Sequence, residues 1–399
     1  MQVRAHDVDS HEMIPGHLLE DVFGKPGRIM GEILRRSDEL RPDPTDTCMH
    51  QPDIVGDVSA VDADDVWIVK GPKAPSAIDL GRRADVLDTM GIDRQLVFPT
   101  TAIAAMMVGG MDDLGFKMRF GGDNDTLEGM SKPEFTSSFL SAYNDWVLSG
   151  PTPDPDRIRM VGIVPTSENL DEMMATATKL VTSGVRAVYV QADTPPGGFS
   201  PAHSALDPFW RLFEEANVPV TLHIGTEYGF LDSRWAFAET FADLFQSPEL
   251  PNNTIQMFST IHMAVDNYVS AMVLGGVFER FPNLRVGLLE VGAHWLGPAS
   301  RRMDMYVDVF PGSSAAKFSM RPSEYVRRNI RISPFNFEPV DQYIRDFPDL
   351  ADVFCYSTDY PHVEGIKDSL TKMRAKVEPL GDEITTKFFR TNAEWLLPA

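Results

Sequence analysis

Residues 3–12 read VRAHDVDSHE, a short stretch with apolar positions that runs into acidic and imidazole side chains, with Asp9 and His11 two positions apart. On a β-strand that spacing puts both side chains on one face. The same grammar recurs along the chain. VPVTLH (218–223) ends on His223, LRVGLLE (284–290) ends on Glu290, and DVFCYS (352–357) leads at once into STDYPH with Asp359. Four further runs, RQLVF (94–98), RMVGIV (159–164), VRAVYV (185–190) and NIRIS (329–333), bring the candidate strands to eight. Most are apolar without strict alternation, as expected of parallel strands buried on both faces.

Helical patterns fall between the strands. Phe135, Phe139, Tyr143 and Val147 recur at i+4. Leu170, Met173, Met174, Ala177, Leu180 and Val181 form one stripe, and Phe209, Leu212, Phe213 and Ala216 another. Strands alternating with helices imply a parallel sheet, and eight of them suggest closure into a (β/α)8 TIM barrel spanning residues 1–399 as a single domain. Two segments exceed ordinary barrel connections and are expected to be long inserted loops: about 12–80 after the first strand, with RPDPTD, and about 99–133 after the second, with MMVGGM and GGMDDLGF. Both follow strands, so both belong to the C-terminal face where barrel active sites form. MMVGGM reads either as an apolar lid or as packing, with packing preferred.

Composition narrows the function. With 36 basic against 58 acidic residues the net charge is −22, which opposes binding to nucleic acid and to anionic membranes. The chain has 2 cysteines, Cys48 and Cys355, too few for a disulfide framework or a CxxC zinc site. The opening residues are polar, without a signal-peptide pattern, and no apolar run is long enough to span a bilayer. A cytoplasmic enzyme acting on a small molecule is the expectation. No phosphate loop, dinucleotide fingerprint or GxSxG elbow is present.

The chemistry rests on the strand ends. Singly, each residue has an ordinary explanation: a hydrogen-bonded core histidine for His223, a turn or helix cap for Asp9 and Asp359, an arginine partner for Glu290. Together, Asp9, His11, His223, Glu290 and Asp359 bring carboxylates and imidazoles to the same end of one barrel, a mixed nitrogen and oxygen donor set suited to Zn2+, Mn2+ or Fe2+. Asp7 shares the face of Asp9 but lies deeper, where it supports the barrel. His262, in STIHMAVDN, is a candidate acid/base or ligand, with a polar contact on a helix as the alternative. His294 is a candidate pocket residue, and His362 is placed to orient Asp359. His6, His17, His50 and His203 carry no such signal.

Beyond these residues, the segments DVDSHEMIP, LGRRADVLDTMGIDRQLVFP, AYNDWV, VGIVP, GVRAVYV, LDPFW, VPVTLHIG, GGVFERFPNLRV, RRMD and YSTDYPHVEG resemble the amidohydrolase superfamily. The resemblance is to the branch that holds aminocarboxymuconate-semialdehyde decarboxylase and the resorcylate decarboxylases. It covers nearly the whole chain in order. It implies Asp9, His11, His223 and Asp359 as ligands of a divalent cation, Asp359 as the group that handles the proton of a metal-bound water, and a homo-oligomer. One departure stands out: where those decarboxylases end strand six with a histidine, this chain has Glu290. That weakens decarboxylation, leaves hydrolysis open, and admits a second metal. The leading expectation is a hydrolase using a metal-activated water, with one or two cations per chain. Asp359, Glu290 and His262 are its candidate catalytic residues. The alternatives are a non-oxidative decarboxylase of a small or aromatic acid, an oxygenase with two Fe or Mn ions, and, in a different class, an inactive barrel serving as partner subunit in a hetero-oligomer.

Overall fold

The computed structural model describes residues 4–40, 49–166, 169–225, 230–235, 238–241, 255–312, 318–363 and 365–398. Val3, Cys48 and the RPDPTD stretch lie outside them. The strands are β1 (Ala5–Asp7), β2 (Ile92–Val97), β3 (Ile158–Met160), β4 (Gly162–Val164), β5 (Val188–Val190), β6 (Val220–His223), β7 (Val286–Leu289) and β8 (Ile330–Ile332). All pairings are parallel, in a three-stranded run β1-β2-β3 and a five-stranded run β4-β5-β6-β7-β8.

The two runs are parts of one α/β barrel. β3 and β4 are the two halves of the single expected strand 159–164. Val161 joins them, its N–H donating to Val97 O, while Gly162 N–H donates to Ala187 O. The residues expected as the last strand pair through a single bridge, Phe354 with Ile332. Ile332 N–H donates to Val353 O and Cys355 N–H to Ile332 O. On the other side Val8 N–H donates to Tyr356 O and Asp359 N–H to Asp9 O, which returns the sheet to its first strand. Burial explains the apolar runs: every residue of β4, β5, β6 and β7 is buried.

The expected helical stripes fold as helices. Lys132–Leu148 buries Phe135, Phe139, Tyr143 and Val147, Leu170–Thr182 buries Met173, Ala177 and Leu180, and Asp207–Ala216 buries Phe209 and Phe213. The segments read as long loops after the first two strands also contain helices. Leu19–Glu39 lies in the first, and Thr101–Gly110 and Asp113–Phe120 in the second. Glycine and proline density concealed them: Gly24, at φ 64°, and Pro26 sit inside the Leu19–Glu39 stretch, which kinks there. Met106, Met107 and Met111 of MMVGGM are buried in the core. Among the described residues no helix is long and apolar enough to cross a membrane.

Asp7 is the buried clasp of the closure. Its Oδ1 accepts from Thr358 N at 2.8 Å and Asp9 N at 3.2 Å. Its Oδ2 accepts from Gln95 Nε2 and Thr358 Oγ1, each at 2.6 Å. One carboxylate thus ties β1 to β2 and to the last strand. Burial pushes its carboxyl up to about 7, against hydrogen bonds that all favour the charged form. Asp7→Ala strands these donors in the core and should destabilise the metal-free chain by about 3 kcal/mol in urea unfolding. A loss below about 0.5 kcal/mol would show that closure does not depend on this clasp.

Candidate metal centre

The residues just past β1 are held from both sides. Phe98 N–H donates to Ser10 O, Glu12 N–H to Phe98 O, and His11 N–H to Tyr360 O at 2.7 Å. Arg83, fully buried, donates from Nη2 to His11 O at 2.9 Å and from Nη1 to Gln95 Oε1 at 3.1 Å. Asp9 and His11 therefore sit on a rigid base at the C-terminal end of the barrel. His223 closes β6, and the Phe98 ring stacks on its imidazole at 4.6 Å. Glu290 follows β7 directly, and Asp359 follows the last strand.

The side chains converge. His223 Nε2 lies 3.2 Å from Asp9 Oδ1 and 3.3 Å from Glu290 Oε2. His11 Nε2 lies 3.5 Å from Asp9 Oδ1, 3.4 Å from Glu290 Oε2 and 3.4 Å from Asp359 Oδ1. Two overlapping groups offer ligand atoms within 4.8 Å of one another: Asp9, His11, His223 and Glu290, and His11, Glu290, Asp359 and His362. Asp9, His11, His223, Glu290 and Asp359 all lie in this cluster.

Tautomers show what the cluster needs. His11 Nδ1 faces the Pro99 carbonyl at 3.3 Å, and His223 Nδ1 faces the Ile224 carbonyl at 3.2 Å. A carbonyl can only accept, so His11 Nδ1 carries the proton and its Nε2, in the neutral ring, presents a lone pair. That lone pair points among carboxylate oxygens, which also present lone pairs, whereas His223 meets an acceptor at both nitrogens, its Nε2 hydrogen-bonded to Asp9 Oδ1 at 3.2 Å. His11 Nε2 and both Asp359 carboxylate oxygens are buried without a hydrogen bond. A bare imidazole nitrogen among carboxylates, with its other nitrogen anchored on a carbonyl, is the arrangement of a metal-ligating histidine. The electrostatics agree: burial first, then the neighbouring Asp359 charge, holds the Asp9 carboxyl well above its ordinary range, while burial and the neighbouring His362 and His223 hold His11 well below its own. A divalent cation at this point would relieve both. The donor set fits such an ion.

Strain marks the same place. Glu290 and Asp359 both have φ of 52°, a left-handed conformation uncommon outside glycine. Both are carboxylates at strand ends, where the turn aims the side chain into the cluster.

His262 belongs to neither group. It packs edge-on to His294 at 4.9 Å and stacks on Trp295 at 5.8 Å, beside the segment that follows Glu290. His294 is half-exposed, with Nδ1 3.4 Å from Glu338 Oε1. His362 lies within the second group, closer to the chemistry than an orienting role requires. His6 is buried away from the cluster and pairs with Glu394 at 3.8 Å. Sequence reasoning passed over Glu12, Thr100 and Glu338. Glu12 accepts from Thr100 N at 3.0 Å and Ile14 N at 3.1 Å, fixing the turn after His11. Its place next to His11 in DVDSHE was the available signal. Glu338 accepts from Ala293 N at 3.0 Å and Phe335 N at 2.7 Å, joining the segments after β7 and β8. Nothing local in the sequence marks that pairing.

A cavity of about 440 Å3 is lined by Met106, Gly109, Thr136, Met173 and Gln191. None of the clustered side chains lines it; helix Thr101–Gly110 turns Ile103 and Met107 toward Gly225, and Met106 and Gly109 toward the cavity.

Known proteins bear on this geometry. The family model described as amidohydrolase matches residues 66–399. The structure is similar over its whole length to an amidohydrolase from Mycobacterium avium subsp. paratuberculosis K-10, with a TM-score of 0.67, 20% identity, and coverage of 100% of this chain and 99% of that one. A 2,6-dihydroxybenzoate decarboxylase from Rhizobium gives a TM-score of 0.56 at 16% identity, covering 100% and 99%. A 5-carboxyvanillate decarboxylase from Novosphingobium aromaticivorans, solved with manganese and a nitrobenzoic acid, gives 0.56 at 16% identity, covering 99% and 96%. No curated protein sequence matches the chain. At these identities the structural likenesses speak for the fold, and the family match speaks for descent: this chain belongs to the amidohydrolase family of enzymes.

Proposed function

We propose that the protein is a metal-dependent hydrolase of a small organic substrate, in which Asp359 takes the proton of the attacking water. The observation that carries this reading is the position of Asp359: 4% exposed, both carboxylate oxygens without a hydrogen bond, and Oδ1 3.4 Å from the bare His11 Nε2. A free carboxylate beside a cation site is a general base waiting for a proton. Asp9, His11 and His223 would hold the cation, with Glu290 in reach of both imidazoles. When bound, the cation supplies Lewis acidity toward a substrate carbonyl and lowers the pKa of a water molecule.

The chain's own residues do the rest. The Pro99 carbonyl holds the His11 ring in the ligating tautomer. Asp359 accepts one proton as water adds to the carbonyl carbon, and returns it to the departing oxygen or nitrogen, so that one bond forms, one breaks and the proton balance closes. Burial of Asp9, His11 and His223 keeps bulk water from competing at the ligands.

A second reading, non-oxidative decarboxylation of a small aromatic acid, is supported by the fold shared with the hydroxybenzoate and carboxyvanillate decarboxylases. It asks the site for a proton donor to carbon. Glu290, a carboxylate where a histidine was expected for that chemistry, favours hydrolysis. A panel of esters, lactones and amides against a panel of hydroxybenzoates, followed by product acid and by carbon dioxide release, separates the two. Product acid without carbon dioxide is expected; carbon dioxide as the product would replace hydrolysis by decarboxylation.

Two variants test the site itself. Chelator-stripped protein should gain about 2–3 kcal/mol of stability when Mn2+ or Zn2+ is added at about 100 times its Kd, and His223→Ala should abolish that gain in the same melting experiment. An undiminished gain in the variant would remove His223 from the ligand set. Asp359→Asn should remain folded and lose at least about 100-fold in kcat, the share expected of a general base. Full turnover would remove Asp359 from the proton path.

A further inference from the structure

We infer that the N-terminal end of the barrel, opposite the candidate metal centre, binds a small oxyanion of the phosphate or sulfate kind between Arg94, Arg159 and Arg186. The site shares no residue with the metal centre and does not depend on the hydrolase reading.

Strand register gathers the cations. His6 on β1 and Arg94 on β2 are direct partners, and Arg159 on β3 is opposite Leu96, two residues beyond Arg94 and on the same side of β2. Arg186 lies two residues before Val188, the partner of Gly162, and so stands beside the start of the strand that carries Arg159. Both arginines reach Asp156: Arg159 Nε donates to its carbonyl at 3.0 Å, and Arg186 Nη2 to its carboxylate. Arg94 Nη1 donates to Leu397 O at 3.3 Å.

These donors are left over. Arg159 is 2% exposed, yet its Nη1 is buried without an acceptor. His6 is buried with neither ring nitrogen in a hydrogen bond. The guanidiniums around them are answered. Arg4 and Arg390 pair with Asp93, and Arg157 with Asp88. Arg285 and Arg331 lie against the Trp395 ring and donate to the Trp395 and Asn392 carbonyls. Among the described residues neither Arg94 nor Arg159 pairs with a carboxylate, and Arg186 has only the exposed Asp156.

Water would satisfy the Nη1 proton but not the charge. Three guanidiniums share one carboxylate here, in a chain whose net charge is −22. Burial first, then the Arg186 and Arg94 charges, pushes the Arg159 guanidinium down to about 10. Burial, then the Arg390 and Arg94 charges, pushes His6 down to about 4, so its ring is neutral. An anion relieves the repulsion among the arginines, and an oxyanion also matches the guanidinium fork, offering several acceptor oxygens at one point. Arg94 and Arg186 are half-buried, so solvent reaches the cluster on their side. Because Arg94 also holds Leu397 O, an oxyanion here would fasten β2 and β3 to the residues that follow Trp395.

The probe is sulfate, read without turnover. Full-length, chelator-stripped protein is titrated with sodium sulfate by calorimetry and melted in the same salt, with sodium fluoride at equal ionic strength as the reference. A saturable binding heat is expected, with a rise in melting temperature that fluoride does not give. Arg159→Met should weaken sulfate binding at least about tenfold, the loss of a charge-assisted hydrogen bond. Arg94→Met, at a half-buried position, guards against loss through misfolding and should weaken binding in the same direction. Arg285→Met, whose guanidinium is engaged with Trp395, should leave it unchanged. Crystals soaked in selenate should show an anomalous selenium peak beside Arg159 Nη1. No saturable heat with the parent, binding undiminished in both the Arg159 and Arg94 variants, or a selenium peak only elsewhere would overturn the oxyanion site and leave the hydrolase reading standing.

Discussion

An imidazole nitrogen of His11 that faces buried carboxylates without a hydrogen bond governs this structure. His11 spends its one ring proton on the Pro99 carbonyl and turns an Nε2 without a hydrogen bond toward carboxylate oxygens at 3.4–3.5 Å, while His223 Nε2 lies 3.2 Å from Asp9 Oδ1 and 3.3 Å from Glu290 Oε2. Among buried groups such an arrangement is repulsive by several kcal/mol unless a cation sits among them. The rest of the fold serves to keep it in place. Asp7 fastens the first strand to its two neighbours, Arg83 grips the carbonyl of His11, and the Phe98 ring lies flat on His223. A barrel brings strand ends from distant parts of the chain to one face, and residues separated by up to 350 positions meet there as one donor set.

Because the clustered side chains arise from four different strands, the centre also reports on closure. The first and last strands meet through hydrogen bonds of Asp7, Val8, Asp9 and His11 with Tyr356, Thr358, Asp359 and Tyr360. Two of the cluster's carboxylates, Asp9 and Asp359, lie at that seam. A cation held there would pin the seam from the inside, so metal binding and barrel stability are coupled in the same atoms. The left-handed backbone at Asp359 is a local cost at the same seam, matched by that of Glu290 at the end of β7, and pairing with a cation would offset both.

Much of this was legible in the residues. The eight runs and the positions of Asp9, His11, His223, Glu290 and Asp359 follow from strand patterns that end in a ligand-type side chain. The division of one strand at Val161, and the reduction of the last to a single bridge at Phe354, could not be read, because both depend on how the barrel curves rather than on local propensity. Helix Leu19–Glu39 was hidden by Gly24 and Pro26, whose local signal is a break although the chain resumes its helix beyond them. His362 was legible as a neighbour of Asp359 but not as a member of the cluster around His11, since its ring is placed by Thr100, 262 positions away. His262 shows the reverse case, a histidine in a suggestive segment whose ring packs on His294 and Trp295 outside the converging donors.

The most direct test of the account is an anomalous-difference map from crystals of the manganese-loaded protein, recorded on the two sides of the manganese edge. The account places a peak at about 2.0–2.3 Å from both His11 Nε2 and His223 Nε2, with their Nδ1 atoms still on the Pro99 and Ile224 carbonyls. A map without a peak at these nitrogens, or a His11 ring turned so that Nε2 donates to a carboxylate, would contradict it.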